Sequence, residues 1–156
     1  MDSQTSGKLW NHALTNGPFT LHGVGAATAA DLDKVTRLCL SCHDGTVALQ
    51  SFGGNTASGT TYMTGTANVG TDLSNDHPVS FTYDAALAIA DPGLWDPTTK
   101  VIGGSGSPTI TAAWLPGNKL ECSSCHDVHN NAPGTPVHLL NKSNTASALC
   151  LTCHNK

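Results

Sequence analysis

The chain has 156 residues, about one domain's worth, of which 38% are hydrophobic, only 5% aromatic and only 12% charged. A typical soluble domain is about half apolar and about a quarter charged, so the composition excludes an ordinary protein-only core and predicts that something other than protein fills the interior. The net charge of −4 leaves no electrostatic footprint for nucleic acid, and no run approaches the roughly 18 apolar residues that span a membrane.

Residues 1–30 are Gly/Thr/Ala-rich and predict mostly irregular chain, with Trp10-Asn11-His12 as the one dense feature. The opening Met1-Asp2-Ser3-Gln4-Thr5-Ser6-Gly7-Lys8 lacks the apolar run of a signal peptide, so either a leader has been removed or Met1 is an addition, and neither argues for the cytosol. Asp31 to Leu40 has helical spacing and runs directly into Cys39-Leu40-Ser41-Cys42-His43, with Thr28 the better cap and Ala30 the alternative. Residues 51–76 read as loop. The alternation Pro78-Val79-Ser80-Phe81-Thr82-Tyr83 predicts a short strand. Asp84 to Ala90 predicts a short helix that ends before Pro92. Val101 to Trp114 predicts a loose hairpin, and Asn144 to Cys153 a second helix-like run capped by Ser143 or Asn144. No boundary is read, so residues 1–156 are expected to form a single domain. Trp10, Trp95 and Trp114 belong either to cofactor packing or to ordinary core.

The cysteines decide the class. All six fall in C-x-x-C pairs, each followed at once by histidine: Cys39/Cys42 with His43, Cys122/Cys125 with His126, and Cys150/Cys153 with His154. This is the attachment signature of c-type haem. Two thiols one helical turn apart reach the two vinyl groups of one haem edge, and the next residue brings an imidazole to the iron as proximal ligand. A redox dithiol, a zinc half-site and a disulfide framework compete, but none requires the histidine. Histidine is 8 of 156 residues, so three such coincidences have a probability on the order of 10⁻⁴. The sequence therefore predicts three haem c groups, attached outside the cytoplasm. The expected fold is mostly irregular, with short α-helices and a minor β component, organised around stacked haems.

Five further histidines remain, His12, His22, His77, His129 and His138, and apart from Met1 the only methionine is Met63. Three His/Met haems are thus excluded and three bis-His haems are easily supplied. Saturated irons describe an electron carrier and not an enzyme. His129 lies three residues after His126 and cannot easily reach round the same ring, so it is expected to serve a different haem, unless it is simply a surface histidine.

The chain resembles the outer-surface multihaem c-type cytochromes of metal-reducing bacteria, especially the small tetrahaem group that includes OmcE-type cytochrome filaments. The resemblance rests on Leu9-Trp10-Asn11-His12, on Leu38-Cys39-Leu40-Ser41-Cys42-His43-Asp44-Gly45-Thr46-Val47-Ala48 and on Asp76-His77-Pro78-Val79-Ser80-Phe81. It continues through Cys122-Ser123-Ser124-Cys125-His126-Asp127-Val128-His129-Asn130 and Leu149-Cys150-Leu151-Thr152-Cys153-His154. It implies His12, His77 and His129 as distal ligands, with His22 and His138 as runners-up. The family's upstream C-x-x-C-H-x-x-H motif is missing here, which makes this a trihaem version. The resemblance further implies self-association into an extracellular or cell-surface filament and exchange of electrons with other redox proteins or extracellular acceptors. The alternatives are a soluble periplasmic shuttle and a multihaem reductase with an open iron. In a filament one distal ligand is expected to cross the subunit boundary. His12 is the first candidate for that role and His22 the second; in the competing arrangement His12 folds back on its own chain.

Overall fold

A computed structural model of the protein describes residues 10–54, 60–131 and 137–156. The fold is mostly irregular, with five short helices and little sheet among the described residues, which agrees with the class expected from sequence. The chain divides into two compact units, Met1–Val79 and Ser80–Lys156. Among the described residues no helix is long and apolar enough to cross a membrane.

In the first unit, β1 (Pro18–Leu21) and β2 (Gly25–Thr28) form an antiparallel hairpin, and the two-residue β3 (Asp72–Leu73) pairs with β1 in parallel. The hairpin lies where irregular chain was expected. The alternation Pro18-Phe19-Thr20-Leu21 puts Phe19 and Leu21 inward, and both are buried. They cluster with Ala27, Ala29, Leu32, Leu40 and Leu73. Leu40 belongs to α1 (Lys34–His43), so this small core seats the helix that carries the first motif. Thr28 does not cap α1. Its amide and hydroxyl bind the Asp31 carboxylate at 2.7 and 2.8 Å, and Asp33 holds the N-cap position without a side-chain bond. The helix ends through Gly45 at φ +73°, where an added Cβ would meet the Asn68 side chain at 2.7 Å. Residues 60–76 are loop apart from a 3₁₀ turn at Gly65–Ala67 and β3, and residues 55–59 lie outside the described residues.

In the second unit, β4 (Phe81–Thr82) pairs antiparallel with β5 (Lys119–Leu120), within the predicted strand region. Then α2 (Ala85–Ala90) starts on Asp84, whose carboxylate accepts from the Leu87 amide at 2.9 Å. The expected hairpin at 101–114 is realised only as far as Thr109, which bridges to Val101; from Ile110 the chain turns into α3 (Ile110–Trp114), capped by Thr109. Ile110, Trp114, Leu115, Leu120 and Tyr83 form the buried interior here. The helix expected over 144–153 is broken. A 3₁₀ turn at Thr145–Ser147 contains Ala146 at φ 52° and Ser147 at φ 62°, which stops helical continuation, and the separate single turn α5 (Cys150–Cys153) follows. The remaining short helix, α4 (Cys122–Cys125), carries the second motif.

Candidate haem-attachment sites

Each C-x-x-C pair lies on a helical turn: Cys39 and Cys42 at the end of α1, Cys122 and Cys125 at the ends of α4, Cys150 and Cys153 at the ends of α5. Positions i and i+3 share a helix face. The residue before the second cysteine points away from that face, and in all three motifs it is a buried hydroxyl: Ser41, Ser124 or Thr152, each no more than 3% exposed. Ser41 donates to the Arg37 carbonyl at 2.7 Å and accepts from the Thr15 amide at 3.0 Å. Ser124 accepts from the Glu121 amide at 3.0 Å, while the Glu121 side chain accepts from the Ser124 amide, completing a capping box. Thr152 donates to the Ala148 carbonyl at 2.9 Å. A four-residue helix is marginal alone, so these bonds are what shape α4 and α5. Sequence reasoning missed this role, although the pattern Cys-x-Ser/Thr-Cys-His is visible in all three motifs.

The six thiols are free. Burial raises the Cys42 thiol above its ordinary range, helped by Asp44, and raises Cys125, helped by Cys150 and Cys122. Cys153 is pushed up to about 11 by burial first, then by Cys125 and Cys150, against an opposing pull from Lys142. Redox dithiols carry depressed thiol pKa values, so this environment does not suit that chemistry. Among the described residues no group of three or more His, Cys, Asp or Glu side chains is arranged to hold a metal ion. Asn141 donates to Cys125 O and Ser123 O, and the next residue, Lys142, donates to Thr152, which ties the second motif to the third.

Four of the eight histidines share one contact. His43 Nδ1 lies 2.8 Å from the Ala67 carbonyl and His126 Nδ1 lies 2.9 Å from that of His138. The same contact joins His77 Nδ1 to Pro78 O at 2.9 Å and His12 Nδ1 to Ala13 O at 2.8 Å. A carbonyl only accepts, so at His43 and His126 the proton sits on Nδ1 and the Nε2 lone pair is left for a metal; at His12 the Nε2 also lies 3.1 Å from a carbonyl, that of Ala48, so both of its nitrogens face acceptors. At His126 this carbonyl is aimed by two consecutive left-handed residues, His138 (φ 61°) and Leu139 (φ 56°), and Asp127 N–H closes the turn on Leu139 O at 2.7 Å. The backbone of His138, more than its ring, is therefore the part that meets the second motif. His154 is joined in a β-bridge to Leu94, and the Trp95 amide donates to Cys153 O at 2.8 Å. The buried Tyr83 hydroxyl donates to Trp95 O at 2.6 Å, with Cys153 O also at 3.2 Å.

His12 does not reach outward. It is 2% exposed, and Cys42 Sγ lies 3.9 Å from its Nε2. The segment around it is strapped to α1: Arg37 donates to Thr15 O at 3.3 and 3.2 Å and to Asn16 Oδ1 at 3.2 Å. The Thr15 hydroxyl donates to the buried Asp44 carboxylate. Within the single chain His12 folds inward. His22 stands exposed at the tip of the β1–β2 hairpin. His129 is exposed in a turn that Asp127 organises by accepting from His129 N at 2.9 Å and Asn131 N at 2.8 Å, bonds that hold its carboxyl below the ordinary range.

The surroundings fit haem. Exposed apolar side chains border the motifs: Phe52 edge-on to His12 at 4.8 Å, Val69 beside His43, Val128 and Leu139 by His126, and Leu151 inside the third motif. Surface of that kind accepts a flat apolar ring. The Trp10 indole, 6.1 Å from the His12 ring, has a buried N–H with no hydrogen-bond partner among the described residues, a donor suited to a haem carboxylate. Trp114 is core, and Trp95 lies half-buried beneath Lys100 at 3.9 Å.

The family described as the doubled CXXCH motif matches residues 116–156, the stretch that contains all of α4 and α5. No curated protein matches the chain. The family match indicates covalently bound haem c and electron transfer, and supports a multihaem c-type cytochrome.

Ser41→Ala should leave the Thr15 amide buried without its acceptor. We expect a stability loss of about 1–3 kcal/mol in chemical denaturation, with Cys39 and Cys42 still present for attachment.

Proposed function

We propose that the chain transfers electrons through three covalently bound, bis-His haem c groups. They are attached at Cys39/Cys42, Cys122/Cys125 and Cys150/Cys153, with His43, His126 and His154 proximal. The observation that carries this reading is the repeated turn in which a buried hydroxyl faces the protein and two thiols face the opposite side (Ser41, Ser124, Thr152). Haem would supply a one-electron carrier. The chain supplies the thiols, the imidazoles, and carbonyls that fix the imidazole tautomer. His12, His77 and His129 are the distal ligands in this reading. His12 serves the first haem, in keeping with its burial beside Cys42. The mutual influence of Cys125, Cys150 and Cys153 supports close packing of the second and third haems.

In this reading the protein is exported and assembles as an extracellular filament, exchanging electrons with redox partners or external acceptors. The bland, weakly charged composition and the resemblance support it. With His12 folded inward, His22 at the exposed hairpin tip is the histidine placed to complete a haem of a second copy.

Three experiments test this. Intact mass after acid–acetone extraction should exceed the chain mass by three haems, and the oxidised protein should be low-spin and slow to bind carbon monoxide. Rapid carbon monoxide binding would favour a reductase. His12→Ala should keep three haems and turn one partly high-spin; an entirely low-spin variant removes His12 from the ligand set. Electron microscopy of the purified protein should show filaments, lost in His22→Ala without loss of haem; a monodisperse monomer would leave the soluble shuttle.

A further inference from the structure

Lys142 is one of only seven basic residues in the chain, and it is half-buried. Its ammonium donates to the Ile102 carbonyl at 2.9 Å and to the Thr152 hydroxyl at 3.1 Å. Thr152 is the buried residue between the two thiols of the third motif, and its own proton goes to Ala148 O. An ammonium has three donors, and two are held here by neutral oxygens. Among the described residues Lys142 has no carboxylate partner. Removing a charge from water without a counter-charge is costly, so a cation fixed in this way is an unusual feature.

The flanks of the motifs sharpen the contrast. Asp44 follows the first motif, and Glu121 and Asp127 flank the second. The third has Leu149 and Asn155 at these places. Asp96, next to Trp95, turns its carboxylate onto Thr98, at 2.9 Å from the amide and 2.6 Å from the hydroxyl. Lys100, stacked on Trp95, adds a second cation on that side.

We propose that Lys142 is a redox-tuning residue, a fixed positive charge on the protein side of the turn that carries the third haem, and that it raises that haem's reduction potential. This rests on the reading that Cys150, Cys153 and His154 carry a haem. The sign follows from charge. A bis-His ferric haem core carries net +1 and the ferrous core is neutral; reduction adds one electron and breaks no bond. A neighbouring cation opposes the +1 state and so favours the reduced one. Because Lys142 is only half-buried, solvent screens part of its field. The effect expected is up to about tenfold in the ratio of reduced to oxidised haem at a fixed solution potential, or about 59 mV for one electron.

The test uses the haem-loaded full chain, with haems counted by intact mass and midpoints read by optical redox titration. Lys142→Gln should retain three haems and lower one midpoint. Lys142→Arg should restore it, since the charge returns, and Thr152→Val should lower the same midpoint by less. Lys34→Gln, an equal charge change at an exposed position of α1, should move none. In a Cys150→Ala/Cys153→Ala background, Lys142→Gln should leave the remaining midpoints unchanged. Three haems with every midpoint unmoved in Lys142→Gln, or a shift that persists in the two-haem background, would overturn the proposal while leaving the attachment reading intact. A wild-type mass of only two haems, with Cys150 and Cys153 unmodified, would overturn both.

Discussion

The arrangement depends on a division of labour within a single helical turn. Two cysteines at i and i+3 must face one way, and a turn of four residues has no stability of its own to hold them there. The hydroxyl between them supplies the hold. Ser41, Ser124 and Thr152 each point into the protein and bond to a fixed neighbour. A serine or threonine suits this position because it is small enough to bury and has both a donor and an acceptor to satisfy. The apolar residues around the motifs can then stay exposed, since the backbone does not rely on them for its shape.

The two units secure the motif by different means. In the first, a hydrophobic cluster around Phe19 and Leu40 seats a ten-residue helix. A polar strap of Arg37, Thr15, Ser41 and Asp44 then brings the His12 segment down onto that helix. In the second, the motif helices α4 and α5 are single turns, and the work falls to capping bonds and short bridges. Glu121 and Ser124 close α4, Asn141 N–H binds Cys125 O at 2.8 Å, and residues 93–95 bond to Cys153 and Asn155. The small aliphatic content is sufficient because directional bonds, more than apolar volume, define these turns.

Electrostatics adds a second layer. With few charges in the chain, each fixed one matters locally. Asp44 is buried among hydroxyls at the first motif, Glu121 is 4% exposed at the second, and Lys142 is pinned at the third. Carbonyls play a comparable part at His43 and His126, where they select the Nδ1–H tautomer and with it the nitrogen available to a metal.

The C-x-x-C-H motifs were legible in the sequence because their spacing is local and each occupies a single turn, whatever surrounds it. The strand at Phe81 and the helix entering Cys39 were legible through periodicity, and the helix of Ala85–Ala90 through its Asp84 cap as well. The β1–β2 hairpin was missed because Gly/Thr/Ala-rich chain has weak strand preference, and its register is decided by burying Phe19 and Leu21 against residues as distant as Leu73. The helix expected over Asn144–Cys153 was broken by left-handed residues that no propensity announces. The fate of His12 was decided only in three dimensions. Its sequence neighbours permit either an outward arm or an inward fold. The choice falls to Thr15, Arg37 and Asp44, which lie 22 and 29 residues apart along the chain and meet only when α1 is in place. Sequence by itself determined the spacing of the thiols and imidazoles; tertiary structure decided which way they face, because that direction is set by hydrogen bonds between residues remote in the chain.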